Sequence, residues 1–190
     1  MRRAEGLKLL GVTTSESISD LLDRLCEIVP DYPQPGISFK DLTPVFADPT
    51  GLRRMVDELI APFEGQFDIV AGLEARGFVL AAAAAYASGK GMLTIRKAGK
   101  LPREVYRDEY TLEYGTSCLE VHKDEIAPGT RVLILDDVLA TGGTVGSAVR
   151  LLEQTGARIA GVGVVLELDG LEGRAKLPGH KVLSLQVVHS

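Results

Sequence analysis

Val132–Val145 reads VLILDDVLATGGTV, and few folds accommodate that order of residues. The apolar run Val132-Leu133-Ile134-Leu135 lacks polar alternation, as expected for a strand buried on both faces of a parallel sheet. Asp136 and Asp137 stand at the C-terminal end of that strand. The small-residue turn Ala140-Thr141-Gly142-Gly143-Thr144 comes next, and Val145–Gln154 then has helical periodicity. In open α/β sheets the crevice at the strand ends is where ligands bind. A turn without bulky side chains lets backbone N–H groups approach an anion, and the positive end of the following helix favours one. Thr141 and Thr144 add hydroxyl donors. The segment reads as a phosphate cradle beside an acid pair suited to hydroxyls or a cation. Asp-Asp and Gly-Gly alone could be loop punctuation; the whole order of strand, two acids, three residues, T-G-G-T and helix is far more specific. It has neither the Lys nor the spacing of a Walker-type loop, and Gly161-Val162-Gly163 continues into Val164-Val165-Leu166, which fails the dinucleotide pattern.

The remaining segments fit an α/β domain. Leu21, Leu22, Leu25, Ile28 and Val29 recur at helical spacing behind Ser19 as cap, up to Pro30. Asp48-Pro49 starts a second helix, Pro49–Phe63, with Met55 in its core-facing stripe. Ile69–Leu73, Met92–Ile95, Ile159–Leu168 and Val182–Val188 read as strands, and an alanine-rich helix follows Phe78. Glu109–Tyr114 and Ser117–His122 alternate about a Gly-containing turn, which predicts a hairpin. Asp169–His180 is a Gly- and charge-rich connection. Residues 1–17 carry little pattern and fit an arm or an oligomer contact.

A chain of 190 residues fits one domain with a real core, and 45% hydrophobic with 25% charged residues is ordinary for a soluble protein. A net charge of −5 argues against broad nucleic-acid binding but leaves room for a local basic pocket. Cys26 and Cys118 are too few for a disulfide framework or a zinc site and read as reduced, partly buried thiols. His122, His180 and His189 are scattered without metal-ligand spacing. Ala81–Ala87 is too short to span a bilayer, and Arg2-Arg3 leads into no cleavage-like region, so a cytoplasmic chain is expected.

Several residues stay open to two readings. Phe39, after the turn-rich PDYPQPG, could anchor a connecting loop or face a ligand. Arg76, in EARGF between a strand and a helix, could be a surface ion-pair member or a ligand-side group. Arg96–Arg107, RKAGKLPREVYR, could be a solvated loop, but in an acidic chain, on the edge that carries the cradle, it reads better as a local positive field for a polyphosphate. Glu113, on the expected hairpin, reads by itself as a polar strand residue.

The strand, the acidic pair and the T-G-x-T-like loop together resemble the type I phosphoribosyltransferases, from about Asp31 to the C-terminus. The resemblance implies that family's fold: a central, mostly parallel sheet flanked by helices, with a small hood and a flexible flap. One domain would span residues 1–190, with arm and hood over about 1–45 and the core over about 46–190. It implies that Ala140, Thr141, Gly142, Gly143 and Thr144 hold the 5-phosphate of phosphoribosyl pyrophosphate, and that Asp136 and Asp137 hold its ribose hydroxyls. GLEARGF resembles the family segment whose Arg reaches pyrophosphate, here Arg76. RKAGKLP resembles the segment whose lysines lie near pyrophosphate, here Lys97 and Lys100. PGISFKD resembles the hood of adenine-specific members, so Phe39 would stack on the base, and Ser38 and Lys40 would help recognise its edge. Many relatives have Arg in place of Lys40, which keeps the charge without the bidentate fork. Val138, often Leu in relatives, would press on the base opposite Phe39. LEYG matches the flap, making Glu113 the catalytic acid/base candidate and Tyr114 a closing residue.

The implied reaction is adenine plus phosphoribosyl pyrophosphate giving AMP and pyrophosphate, as in purine salvage. Mg²⁺ is implied, bound mainly through substrate oxygens rather than by an all-protein cage. The family also implies a homodimer, with neither nucleic acid nor membrane as partner. From the residues alone, a phosphate turn, a diol-binding acid pair and a separate basic loop suit two anionic groups flanking a sugar. Two alternatives remain. A regulator could bind the same ligand as an effector, although residues 1–30 are too short and too weakly basic for a DNA-binding module. The same chemistry could also act on hypoxanthine or guanine.

Overall fold

The structure is a computed structural model that describes residues 16–32, 34–112 and 115–189. The chain begins with α1 (Ile18–Leu25), β1 (Glu27–Val29), β2 (Phe39–Asp41), α2 (Thr43–Ala47) and α3 (Pro49–Ile60), which a 3₁₀ turn extends over Ala61–Phe63. Then come β3 (Ile69–Leu73), α4 (Arg76–Ser88), β4 (Gly91–Lys97), β5 (Val105–Leu112) and β6 (Gly115–His122). The last elements are β7 (Arg131–Leu139), α5 (Gly143–Gln154), β8 (Arg158–Leu168), a 3₁₀ turn at Gly173–Lys176 and β9 (Val182–Val188).

The main sheet has the order β5-β6-β4-β3-β7-β8-β9. β4, β3, β7, β8 and β9 run parallel, and the β5–β6 hairpin is added antiparallel at one edge. β7 is central and fully buried from Val132 to Leu135, as its unbroken apolar run requires. Its side chains divide between two cores. Val132 and Ile134 pack with α5 residues Val145, Ala148, Leu151 and Leu152. Leu133 and Leu135 pack on the other face with Met55, Leu59, Phe63 and Leu80 from α3, its 3₁₀ extension and α4. Gly161 and Gly163 therefore serve packing, not a dinucleotide. A Cβ on Gly161 would stand 2.1 Å from the Phe63 ring.

Of the boundaries that differ from expectation, three have a plain local reason. The cap of α1 is Ser17, not Ser19, because its hydroxyl accepts from the Asp20 N–H while the Asp20 carboxylate accepts in return, forming a capping box. α1 stops at Leu25, and residues 27–29 pair with residues 39–41 as a small antiparallel sheet, so Ile28 and Val29 belong to a strand. β7 continues four residues past Leu135, so Asp136 and Asp137 lie within the strand rather than beyond it. Beyond Leu135 it keeps pairing with β8, from Asp136 opposite Val164 to Leu139 opposite Glu167, while its pairing with β3 stops at Gly72 opposite Leu135.

Candidate active site

Where β3 leaves β7, the sheet opens a crevice. α4 follows β3 on one face and α5 follows β7 on the other, so the chain departs to opposite sides at this point. In a doubly wound sheet such a switch point is the ligand crevice. Because β4, β3 and β7 are parallel neighbours, the segments at their C-terminal ends meet there: Arg96–Lys100, Glu74–Arg76 and Asp136–Thr144.

The Ala140–Thr144 turn encloses a hollow of about 70 Å³, lined by Asp136 and Val138–Val145. Gly142 adopts the left-handed conformation (φ 76°) and caps α5. The first N–H groups of a helix have no intrahelical acceptor, so the α5 terminus offers donors beside this hollow. The 3₁₀ turn at Gly173–Lys176 backs the loop. A Cβ on Gly142 would stand 2.3 Å from the Gly173 carbonyl, and one on Gly173 would stand 2.2 Å from the Ala140 carbonyl. Nothing in the composition of Asp169–His180 marks it as this brace. Tyr110, buried on β5, meets the Thr144 hydroxyl at 3.4 Å, and Arg150 of α5 holds Asp108 at 2.7 Å. The hairpin is thereby docked on the helix that carries the cradle. Alternation places Tyr110 inward, but nothing in the sequence links it to Thr144.

The two acids diverge. Asp136 is buried, accepts from the Asp137 N–H at 2.9 Å and lines the hollow. Burial, and then the neighbouring Asp137 charge, push its carboxyl well above the usual range. Asp137 instead pairs with Arg76 at 2.9 Å. The Arg76 guanidinium also lies 5.3 Å from the centre of the Phe39 ring. One arginine thus joins β7, the start of α4 and the small sheet. Phe39 is half-buried, and Tyr32 meets it edge-on at 5.2 Å.

Lys40 points elsewhere. Successive side chains on a strand face opposite sides, and its ammonium is held by Asp23 of α1 and, at 2.7 Å, by Gln186 of β9. Gln186 also donates to Ser19. The cation expected at the base edge therefore fastens β2 to the body of the protein. Ser38 is exposed just before β2, and Val138 is partly buried at the rim of the hollow.

Glu74 organises the basic segment. Its carboxylate takes the Lys100 ammonium, the Lys97 N–H at 3.1 Å and the Arg96 side chain at 3.4 Å. The hydrogen bond from Lys100, foremost among these, holds it below the usual carboxylate range. Lys97 and Lys100 are exposed on this loop. Glu113 and Tyr114 lie outside the described residues; the flanking Leu112 and Gly115 pair across β5 and β6.

Comparison with known proteins agrees with this geometry. Residues 47–185 match the Phosphoribosyl transferase domain family. The chain is 62% identical over 170 residues to adenine phosphoribosyltransferase of Renibacterium salmoninarum, covering 90% of this chain and 93% of that one. It superposes with a TM-score of 0.86 on the crystal structure of adenine phosphoribosyltransferase from Thermoanaerobacter pseudethanolicus, at 42% identity over 90% of this chain and all of the other. The Saccharomyces cerevisiae enzyme, crystallised with an imino-altritol bisphosphate and adenine, gives 0.84 at 37% identity, covering 89% of this chain and 98% of its own. The chain belongs to the adenine phosphoribosyltransferases, within the type I phosphoribosyltransferase family.

Proposed function

We propose that this crevice transfers the phosphoribosyl group of phosphoribosyl pyrophosphate to adenine, releasing pyrophosphate and forming AMP. The observation that carries this reading is the convergence of a neutral donor-rich cradle, an acid pair and a basic loop on one switch point, with an aromatic ring facing it from the small sheet. Two anionic ends and a diol between them use all three features.

In this reading Ala140–Thr144 take the 5-phosphate, and Asp136 and Asp137 take the ribose hydroxyls. Arg76, Lys97 and Lys100 take the pyrophosphate, and Phe39, Ser38 and Val138 bound the base. The Lys40 backbone borders the base, while its side chain fastens β2. Arg76 gives up Phe39 as it turns to the pyrophosphate, clearing the ring for stacking. As the anomeric bond breaks, positive charge grows on the ribose. Carboxylates fixed beside it stabilise that charge without reorganising. Glu113 moves the purine proton, and Tyr114 closes over the reactants so that water does not intercept the cation. The hard oxygens of the acid pair suit Mg²⁺, an ion that substrate oxygens would mainly carry. When bound, Mg²⁺ neutralises charge on the leaving pyrophosphate.

A cytoplasmic homodimer of single-domain chains completes the reading. Among the described residues no helix is long and apolar enough to cross a membrane, and α4 exposes Val79 and Tyr86, apolar surface that a second copy would cover. The test is direct. Purified protein, Mg²⁺ and phosphoribosyl pyrophosphate are mixed with adenine, hypoxanthine or guanine, and nucleotide and pyrophosphate are followed. Selective AMP formation is expected. Turnover of another base instead would overturn the base assignment, and no turnover with any base would overturn the reaction.

A further inference from the structure

We propose that Glu120 is a positioning residue that fixes the basic loop so that Lys97 and Lys100 are presented to pyrophosphate; this rests on the reading of that loop given above. Glu120 sits on β6, opposite Arg96 of β4 on one side and Arg107 of β5 on the other, and is 1% exposed. A carboxylate so deeply buried is costly unless both oxygens are occupied by donors. One oxygen accepts from the Arg107 side chain at 2.7 Å. The other accepts from the backbone N–H of Gly99 at 2.9 Å, between the two lysines.

The neighbouring amides are also engaged. The Lys97 N–H donates to Glu74 at 3.1 Å and the Ala98 N–H to the Cys118 carbonyl at 3.0 Å. Three successive donors are thus tied down, two by carboxylates on opposite sides of the loop. Their N–H groups are not free to cradle an anion, unlike those at the start of α5. The loop acts instead as a rigid mount for two lysines, Lys97 exposed and Lys100 resting on Glu74 until pyrophosphate takes it, and Glu120 is the fastening on the hairpin side. Because its second oxygen holds Arg107, the mount is joined to the hairpin whose strands flank Glu113 and Tyr114.

The experiment compares Glu120→Ala and Glu120→Gln with the unaltered protein, reading KM for each substrate and kcat. Sub-ångström placement of charged groups governs catalysis steeply, so Glu120→Ala is expected to raise KM for phosphoribosyl pyrophosphate about tenfold and leave KM for adenine unchanged. Glu120→Gln keeps an acceptor for Gly99, should fold in any case, and is expected to fall between the two. A merely structural role would reduce the active fraction and thus apparent kcat, leaving both KM values in place, and that result overturns the proposal. Lys100→Met is measured alongside. If it leaves KM for phosphoribosyl pyrophosphate unchanged, the pyrophosphate reading of the loop fails, and this inference fails with it. If it raises that KM and neither Glu120 variant does, only the role of Glu120 is overturned. With Lys97→Met and Lys100→Met combined, the Glu120→Ala effect on KM should shrink towards none, because groups that act through one another are not additive. An undiminished effect refutes action through the lysines.

Discussion

Gly142→Ala probes how tightly the Ala140–Thr144 turn is braced. Two costs can be worked out separately. Gly142 has a φ of 76°, and an L-residue in the left-handed region costs about 1–2 kcal/mol. Its new Cβ would stand 2.3 Å from the Gly173 carbonyl oxygen and 3.0 Å from the Lys176 Cβ. Both belong to a packed turn, so something must shift, at an overpacking cost of about 1–3 kcal/mol. The sum is about 2–5 kcal/mol, or a fall in Tm of about 4–20 °C for a domain of this size. Gly179→Ala is the control. Its φ of 80° carries the same conformational cost, but nothing lies within 4 Å of its Cβ. Thermal unfolding of both variants by circular dichroism isolates the contact term as their difference, expected at about 1–3 kcal/mol. KM for phosphoribosyl pyrophosphate should rise in Gly142→Ala and stay unchanged in Gly179→Ala. Equal losses of Tm in the two variants would refute the claim that the 173–176 turn braces the cradle.

Asp136→Asn should stabilise the ligand-free protein while weakening phosphoribosyl pyrophosphate binding. The folded carboxyl titrates above its unfolded value, so its contribution is intact below about pH 4 and is lost as pH rises through the folded pKa. The Tm advantage of Asn should therefore grow from acid towards neutral pH, and a constant difference across that range would refute the burial account. Tyr110→Phe removes the hydroxyl 3.4 Å from Thr144 and should raise KM for phosphoribosyl pyrophosphate about two- to threefold, the scale of one long neutral hydrogen bond; steady-state kinetics checks this. Lys40→Met should raise KM for adenine and spare that for phosphoribosyl pyrophosphate, because it loosens β2 from Asp23 and Gln186 without touching the cradle. Equal changes in both constants would contradict the separation of the two ends.

What could be read in advance depended on how local the cause was. The run Val132–Leu135 announced a two-sided strand because both faces of that strand meet helices. Asp48-Pro49 announced α3 because its cap lies three residues from its donor, Gly51. The helix then stopped at Ile60, since Pro62 has no N–H to continue it. β1 was hidden because a three-residue strand owes its existence to a partner twelve residues on. At the site, the small-residue turn and the basic loop were legible as local segments, because each is contiguous in sequence. Their fastening was not. Gly173 behind Gly142, Tyr110 against Thr144 and Gln186 on Lys40 are tertiary contacts with no signature in the segments that make them.

The tie from Lys40 to Gln186 spans 146 positions of sequence. It makes the small sheet depend on the far end of the chain, since β2 lies near the start and its anchor sits on the last strand. Gln186 touches Lys40 and Ser19 rather than the Ala140–Thr144 turn. A substitution at Gln186 therefore reaches Phe39 through β2, from a position that shares no local sequence with either.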